Sequence, residues 1–362
     1  MPKPLLKNKS QTAGALYAAA ITLFLIVSLI GGAILSFLPN GSFARTAVSP
    51  LFAVLALSAV NVLSEKAYGA ALFSEEKQKD NPCGNFGQGY KAEKSENAEQ
   101  KLLPKEILGY KKFSPVYVFA AIAVAAGVFC GLGFINAAFA NLLGKIGVTI
   151  PQTEIEMHGA GEYLVLSLTL AALPAIAEES FFRGAIFYGQ SGEKLFSGAA
   201  LSGFIFALYH CSLVQLIYQF FYGAILYILV KKSGSVFPAV IAHFLNNFAV
   251  ITLTYFGAEI NLFSPTLIAA GVALLVLAFA VIYTEEGRKK GKKYRRKEGN
   301  FGIDNVKNNE KAATENVVKV NENAVNATEK AATEKFSVKD FFLPFGIIGA
   351  LACAVTGAAF LL

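Results

Sequence analysis

The sequence predicts an all-α membrane protein, a polytopic bundle of about eight or nine transmembrane helices. Three observations predict it. Hydrophobic residues make up 54% of the 362 and charged residues only 16%, whereas a water-soluble domain carries about 25% charged residues. The apolar residues gather in runs long enough to span a bilayer, for which about 20 residues suffice. The lysines and arginines, which give a formal net charge of +7, gather in the polar segments between those runs, where they act as topology signals. That distribution speaks against nucleic-acid binding.

The runs follow in order. After a short basic start, MPKPLLKNKS, the first spans Ala15 to Leu38. It exceeds the roughly 7–15 apolar residues of a signal peptide, so it reads as an uncleaved span with a cytoplasmic N-terminus. A turn, LPNGS, leads to a second span, Ala47 to Leu63, and then to a Lys-rich polar loop, Glu65 to Lys112, on the cytoplasmic side. The third span covers Pro115 to Leu142, the fourth Tyr163 to Tyr188, the fifth Leu195 to His210 and the sixth Leu213 to Val230. The seventh runs from Val236 to Tyr255 and the eighth from Pro265 to Tyr283, ending at EEGRKKGKKYRRK, whose basic run also suits anionic lipid. A polar segment from Glu298 to Lys335, with the near-repeat EKAATEN and EKAATEK, lacks the apolar residues for a core and reads as a cytoplasmic linker, disordered or partly helical. Phe341 to Leu362 forms a ninth apolar run. The division is therefore 1–160 for the N-terminal spans and loop, 161–256 for a core, 257–297 for the eighth span and basic run, 298–340 for the linker and 341–362 for the last span. The four cysteines include no CxxC pair, so neither a disulfide framework nor a thiolate metal site is expected.

Ionisable residues inside a membrane segment cost on the order of 2.5–3.5 kcal/mol on insertion scales and mark function by default. The polar residues set in apolar surroundings make a short list: the ionisable Glu178, Glu179 and Arg183 in the fourth span, His210 at the end of the fifth and His243 in the seventh, with the carboxamides Asn246 and Asn247 beside it. Glu179 and Arg183 are i and i+4 with the acid first, the favourable order for a helical pair. They are expected to brace the helix while Glu178 faces a cavity. His243 and Asn247 share a helix face and Asn246 is offset by one residue, which makes Asn247 the better co-worker. An acid, two imidazoles and a carboxamide suit water activation, with a carboxylate to remove a proton and N–H donors for an oxyanion. Glu178, His210 and His243 are equally the residue types of a hydrolytic zinc site. Blander readings exist for each part. EESFFR could be a solvated helix end, His210 an interfacial residue, and Asn and His mere hydrogen-bonding glue between helices. Cys211 beside His210 lacks an activating environment for a thiolate nucleophile.

Three ordered motifs carry a resemblance: EExxxR at Glu178 to Arg183, FxxxH at Phe206 to His210 and HxxxN at His243 to Asn247. Together they resemble the signature of the CAAX prenyl protease and bacteriocin-processing family of intramembrane proteases. The resemblance implies a cavity open to the cytoplasm with lateral access for a hydrophobic or lipidated peptide. It also implies Glu178 as general base, His210 as a second catalytic group, and His243 with Asn247 as oxyanion stabilisers. Glu179, Arg183, Phe206 and Asn246 would support them. The family has been described both as metalloproteases and as metal-independent glutamate proteases; the absence of HExxH and the presence of Asn247 favour the metal-free form. The expected activity is an intramembrane endopeptidase in a prokaryotic plasma membrane, with membrane lipids and a peptide as partners and no nucleic acid. The rivals are a non-catalytic scaffold or bacteriocin immunity protein, and a proton- or cation-coupled transporter, against which the lack of two repeated halves argues.

Overall fold

The computed structural model describes residues 8–39, 42–79, 104–148, 157–190, 192–308 and 337–341. All regular structure among them is helical: α1 Lys9–Leu35, α2 Phe43–Lys79, α3 Pro104–Ile107, α4 Val116–Lys145, α5 Ala160–Gly189, α6 Leu195–Tyr209, α7 Leu216–Ser233, α8 Phe237–Tyr255, α9 Pro265–Asn308 and α10 Val338–Phe341. Six of these, α1, α2, α4, α5, α8 and α9, contain a stretch long and apolar enough to cross a membrane. The expected fifth and sixth spans are the shorter α6 and α7. The ninth run beyond Phe341, both copies of the near-repeat, Cys83 and Cys353 lie outside the described residues.

Local chemistry sets the helix ends. The Asn8 side chain accepts from the Gln11 amide at 2.9 Å and so caps α1. Gly234, at φ 77°, ends α7 by returning its N–H to Val230 O, and Pro238 lies in the first turn of α8. Two helices outrun their apolar stretches. α2 continues through SEEKQK to Lys79, and α9 carries on through the basic run to Asn308, because Glu, Lys and Arg keep good helix propensity after the hydropathy has dropped.

Packing among the described residues centres on two large apolar clusters and a small third one, Ala47, Leu166, Ala171 and Ile251, that joins α2, α5 and α8. One of the large clusters joins α1, α2, α5 and α6 around Tyr17, Phe181, Phe182 and Phe206. The other joins α4, α7, α8 and α9 around Tyr117, Tyr222, Leu226 and Ala242. The acidic end of α5 and His243 of α8 meet at the seam between them. Tyrosine hydroxyls pin helices across the bundle, Tyr17 to Ile205 O at 3.0 Å, Tyr68 to Ala185 O at 2.7 Å and Tyr117 to Lys232 O at 2.8 Å, which spares buried carbonyls. One disulfide departs from the sequence expectation. Cys211 is disulfide-bonded while Cys130 is a free thiol. Spacing along the chain carries no information about a pairing made by proximity in space. The thiolate reading of Cys211 falls with it.

α4 and α9 approach through small residues. Gly127 and Gly131, i and i+4 on α4, face Gly271 and Leu275 on α9, and a Cβ on Gly131 would lie 2.9 Å from both the Gly271 carbonyl carbon and the Val272 nitrogen. Backbone, unlike a flexible side chain, cannot give way there. Replacing Gly131→Leu is expected to force the helices apart and to destabilise the protein by about 1–3 kcal/mol, read as a lower thermal unfolding midpoint of the purified protein in detergent.

Candidate active site

The site begins with the winding of α5. Two segments of this helix, Ser167–Ala172 and Ser180–Ile186, are wound as wide π-type turns on either side of α-helical Leu173–Glu179. Wide turns open the hydrogen-bond ladder, and they recur at functional sites. Side chains from neighbouring helices reach carbonyls along this stretch. Asn247 Nδ2 of α8 donates to Leu170 O at 3.4 Å, Asn61 Nδ2 of α2 to Ala177 O at 3.2 Å, and Tyr68 of α2 to Ala185 O.

Glu178 and Glu179 are about 100° apart around the helix and meet different surroundings. Glu179 and Arg183 are both fully buried and paired at 2.9 Å. Glu179 Oε1 accepts a second hydrogen bond, from His243 Nδ1 at 2.8 Å. Arg183 in turn donates to Gly223 O of α7 at 3.0 Å and rests 4.2 Å above the Phe206 ring of α6. Four helices thus meet on one ion pair.

Among the described residues no lysine or arginine pairs with Glu178. Its Oε2 lies 3.9 Å from His210 Nε2 and 3.9 Å from His243 Nε2, and has no hydrogen-bond partner among the described residues. The Phe206 to His210 spacing explains the first imidazole's aim. A residue four positions earlier on the same helix offers its carbonyl, and Phe206 O takes His210 Nδ1 at 2.8 Å while the two rings meet nearly edge-on at 4.6 Å. A backbone carbonyl only accepts, so His210 Nδ1 carries its hydrogen and Nε2 turns a lone pair toward Glu178. The same logic holds for His243, since a carboxylate held by Arg183 also only accepts. Phe206 touches both rings, lying 5.9 Å from that of His243.

The remaining sequence candidates have other partners. Asn246 accepts from the Tyr218 hydroxyl at 2.9 Å, so it ties α7 to α8. Asn247, as noted, reaches the first wide turn of α5. Missed by the sequence reasoning were Asn61 and the tyrosines Tyr209, Tyr218 and Tyr222. The signal for Asn61 was there, a lone carboxamide in the middle of an apolar run. A tyrosine in such a run gives none.

With this geometry in view, the comparison with known families is specific. Residues 160–249 match the Rce1-like family of type II CAAX prenyl endopeptidases. No curated protein and no solved structure matches the chain. The matched stretch starts at the first residue of α5 and ends within α8, so the Rce1-like domain contains all three motifs and leaves out α1, α2, α4 and α9. The protein is therefore an integral membrane protein in which a central stretch is similar to a peptidase family. Among the described residues no group of three or more His, Cys, Asp and Glu side chains is arranged to hold a metal ion. Tetrahedral zinc with bonds of about 2.0–2.1 Å would bring ligand atoms to roughly 3.3 Å from one another, closer than the 3.9 Å separating Glu178 from each imidazole.

The ion pair gives a direct test of its bracing role. Glu179→Ala leaves the Arg183 charge buried against a carbonyl and a ring alone, and is expected to destabilise the protein by about 3–5 kcal/mol. Glu179→Gln, which can still accept from Arg183 and His243, is expected to lose less. Thermal unfolding of the two variants side by side measures the difference.

Proposed function

We propose that this protein is an intramembrane endopeptidase that hydrolyses a peptide bond in a hydrophobic or lipidated peptide with water activated by Glu178. The observation that carries the proposal is the convergence of two imidazole Nε2 atoms, from α6 and α8, on one unpaired carboxylate oxygen of α5 at 3.9 Å each. That separation leaves room for a water molecule between Glu178 and an imidazole, since two hydrogen bonds of about 2.7–2.9 Å meeting at one oxygen at an angle of roughly 90–110° span about 4–4.6 Å between their far ends, and the two hydrogens of the water can serve two of the three acceptors.

In the proposed reaction Glu178 takes a proton from this water as its oxygen attacks the peptide carbonyl. The C–O bond forms, the carbonyl oxygen takes the negative charge, and Glu178 passes the proton to the nitrogen as the C–N bond breaks. His210 assists that transfer. His243 and Asn247 hold the oxyanion, and the hydrogen bonding of His243 adds a condition. With Nδ1–H committed to Glu179, His243 donates from Nε2 only when that nitrogen also carries a hydrogen. Glu179 and Arg183 are then more than a brace, because they set the direction in which His243 gives its proton. A Lys-rich side of the bundle, with Lys111, Lys112, Lys231 and Lys232, fits a cytoplasmic opening and a cytoplasmic N-terminus.

The test uses full-length protein in lipid vesicles with two internally quenched peptides, one ending in a farnesylated cysteine and three further residues, the other unmodified. Glu178→Gln is expected to lower turnover by about 10²- to 10⁴-fold with an unchanged thermal midpoint. Turnover that survives this change would sink the mechanism and leave the scaffold reading. A zinc chelator provides the second measurement. Cleavage is expected to persist in its presence, and a loss restored by added zinc would transfer water activation to a metal.

A further inference from the structure

An amide hydrolase needs N–H or O–H donors aimed at the oxygen that takes the charge, and around Glu178 they are scarce. His210 spends its Nδ1 hydrogen on Phe206 O, His243 on Glu179, and Asn247 one of its two amide hydrogens on Leu170 O. In their neutral forms both imidazoles present lone pairs to Glu178, which as a carboxylate also only accepts. Acceptors crowd this face.

Tyr209 of α6, the residue before His210, holds an unspent donor. It is 3% exposed, and its hydroxyl is buried with no hydrogen-bond partner among the described residues. A buried hydroxyl left unpaired costs about 1–3 kcal/mol, and Tyr17, Tyr68 and Tyr117 escape that cost by donating to carbonyls. The ring of Tyr209 is fixed by Phe24 at 5.2 Å, Phe182 at 5.3 Å and, perpendicular to it, His210 at 6.2 Å. His210, the next residue along the chain, is one of the two imidazoles whose Nε2 lies 3.9 Å from Glu178. Tyr222 also has an unpartnered hydroxyl, but it stands on α7 next to Gly223, whose carbonyl accepts from Arg183, which assigns it to the brace. On α2, Asn61 leaves the complementary atom. Its Nδ2 is bound to Ala177 O, one residue before Glu178, while its Oδ1 is buried without a partner among the described residues. An unspent donor packed against His210 and an unspent acceptor at Ala177, one residue before the acid, are the complement of one peptide group.

We propose that Tyr209 is a catalytic residue of this site. Its hydroxyl donates to the scissile carbonyl oxygen as charge develops there, and Asn61 Oδ1 accepts from a substrate amide N–H. No proton leaves the tyrosine, so the atom balance of the hydrolysis is unchanged. The inference rests on the endopeptidase reading.

The experiment compares wild type, Glu178→Gln, Tyr209→Phe and Tyr17→Phe in the same vesicles with the farnesylated and unmodified peptides. Tyr209→Phe keeps the ring contacts and removes only the hydroxyl. Its kcat is expected to fall about 10- to 100-fold, at or somewhat below the loss of a strong oxyanion donor, with KM within about twofold and the thermal midpoint unchanged. Tyr17→Phe removes a hydroxyl bound to a carbonyl and is expected to lower the midpoint while kcat holds. If Tyr209→Phe behaves like Tyr17→Phe, or like wild type, its hydroxyl has no catalytic role and the proposal is overturned. If wild type itself shows no Glu178-dependent cleavage of either peptide, the endopeptidase reading fails first and takes this one with it.

Discussion

The burial of Arg183 is the constraint on which the rest of this bundle depends. A guanidinium cannot be deprotonated in a protein, so once inside the membrane region it must be matched by acceptors at fixed positions. Glu179, Gly223 O and the face of Phe206 supply them from three helices, and His243 joins through the shared Glu179 oxygen. Charges interact more strongly at low dielectric than in water, so this knot tolerates little rotation of α5 against α6, α7 and α8. Two acids side by side in sequence thereby acquire opposite characters. One is paired inside the bundle, and the other keeps an oxygen with no hydrogen-bond partner among the described residues.

Holding α5 in that orientation has a cost in backbone hydrogen bonding, because its wide turns open the helical ladder. The neighbours absorb it. Asn61 and Tyr68 of α2 and Asn247 of α8 each bind a carbonyl of this helix, so polar side chains in apolar runs here maintain the winding of a partner helix. The matched family region stops short of α2, yet α2 supports the segment that bears both acids.

How much of this the sequence disclosed depends on the range of each interaction. The Glu179 to Arg183 pair and the Phe206 to His210 contact are i, i+4 relations within single helices, and helical periodicity makes them legible. The convergence of Glu178, His210 and His243 joins residues on three helices, and only the ordered motifs hinted at it. The Glu179 to His243 bond, 64 positions apart, left no local trace, and it changes what His243 can do. Wide turns were illegible for a different reason. They are a property of the backbone ladder, and the apolar pattern of SLTLAA or SFFRGAI reads the same in either winding. Hydropathy located the spans but not the ends of α2 and α9, where polar residues of good helix propensity extend a helix beyond the apolar slab. Tyr209 was hidden by its own composition, since a phenol in an apolar helix looks like packing until its hydroxyl is seen to lack a partner.

The winding of α5 also bears on how such a helix can change over time. Each wide turn amounts to one extra residue taken into the helix without disturbing the residues beyond it. Deleting one residue from Ser167–Ala172 would therefore return that turn to ordinary winding while Glu178 and Arg183 kept their facing, whereas a deletion within α-helical Leu173–Glu179 would turn one part of α5 by about 100° against the other. The wide turns are thus the places where α5 can change length by one residue without carrying its charged side chains away from their partners.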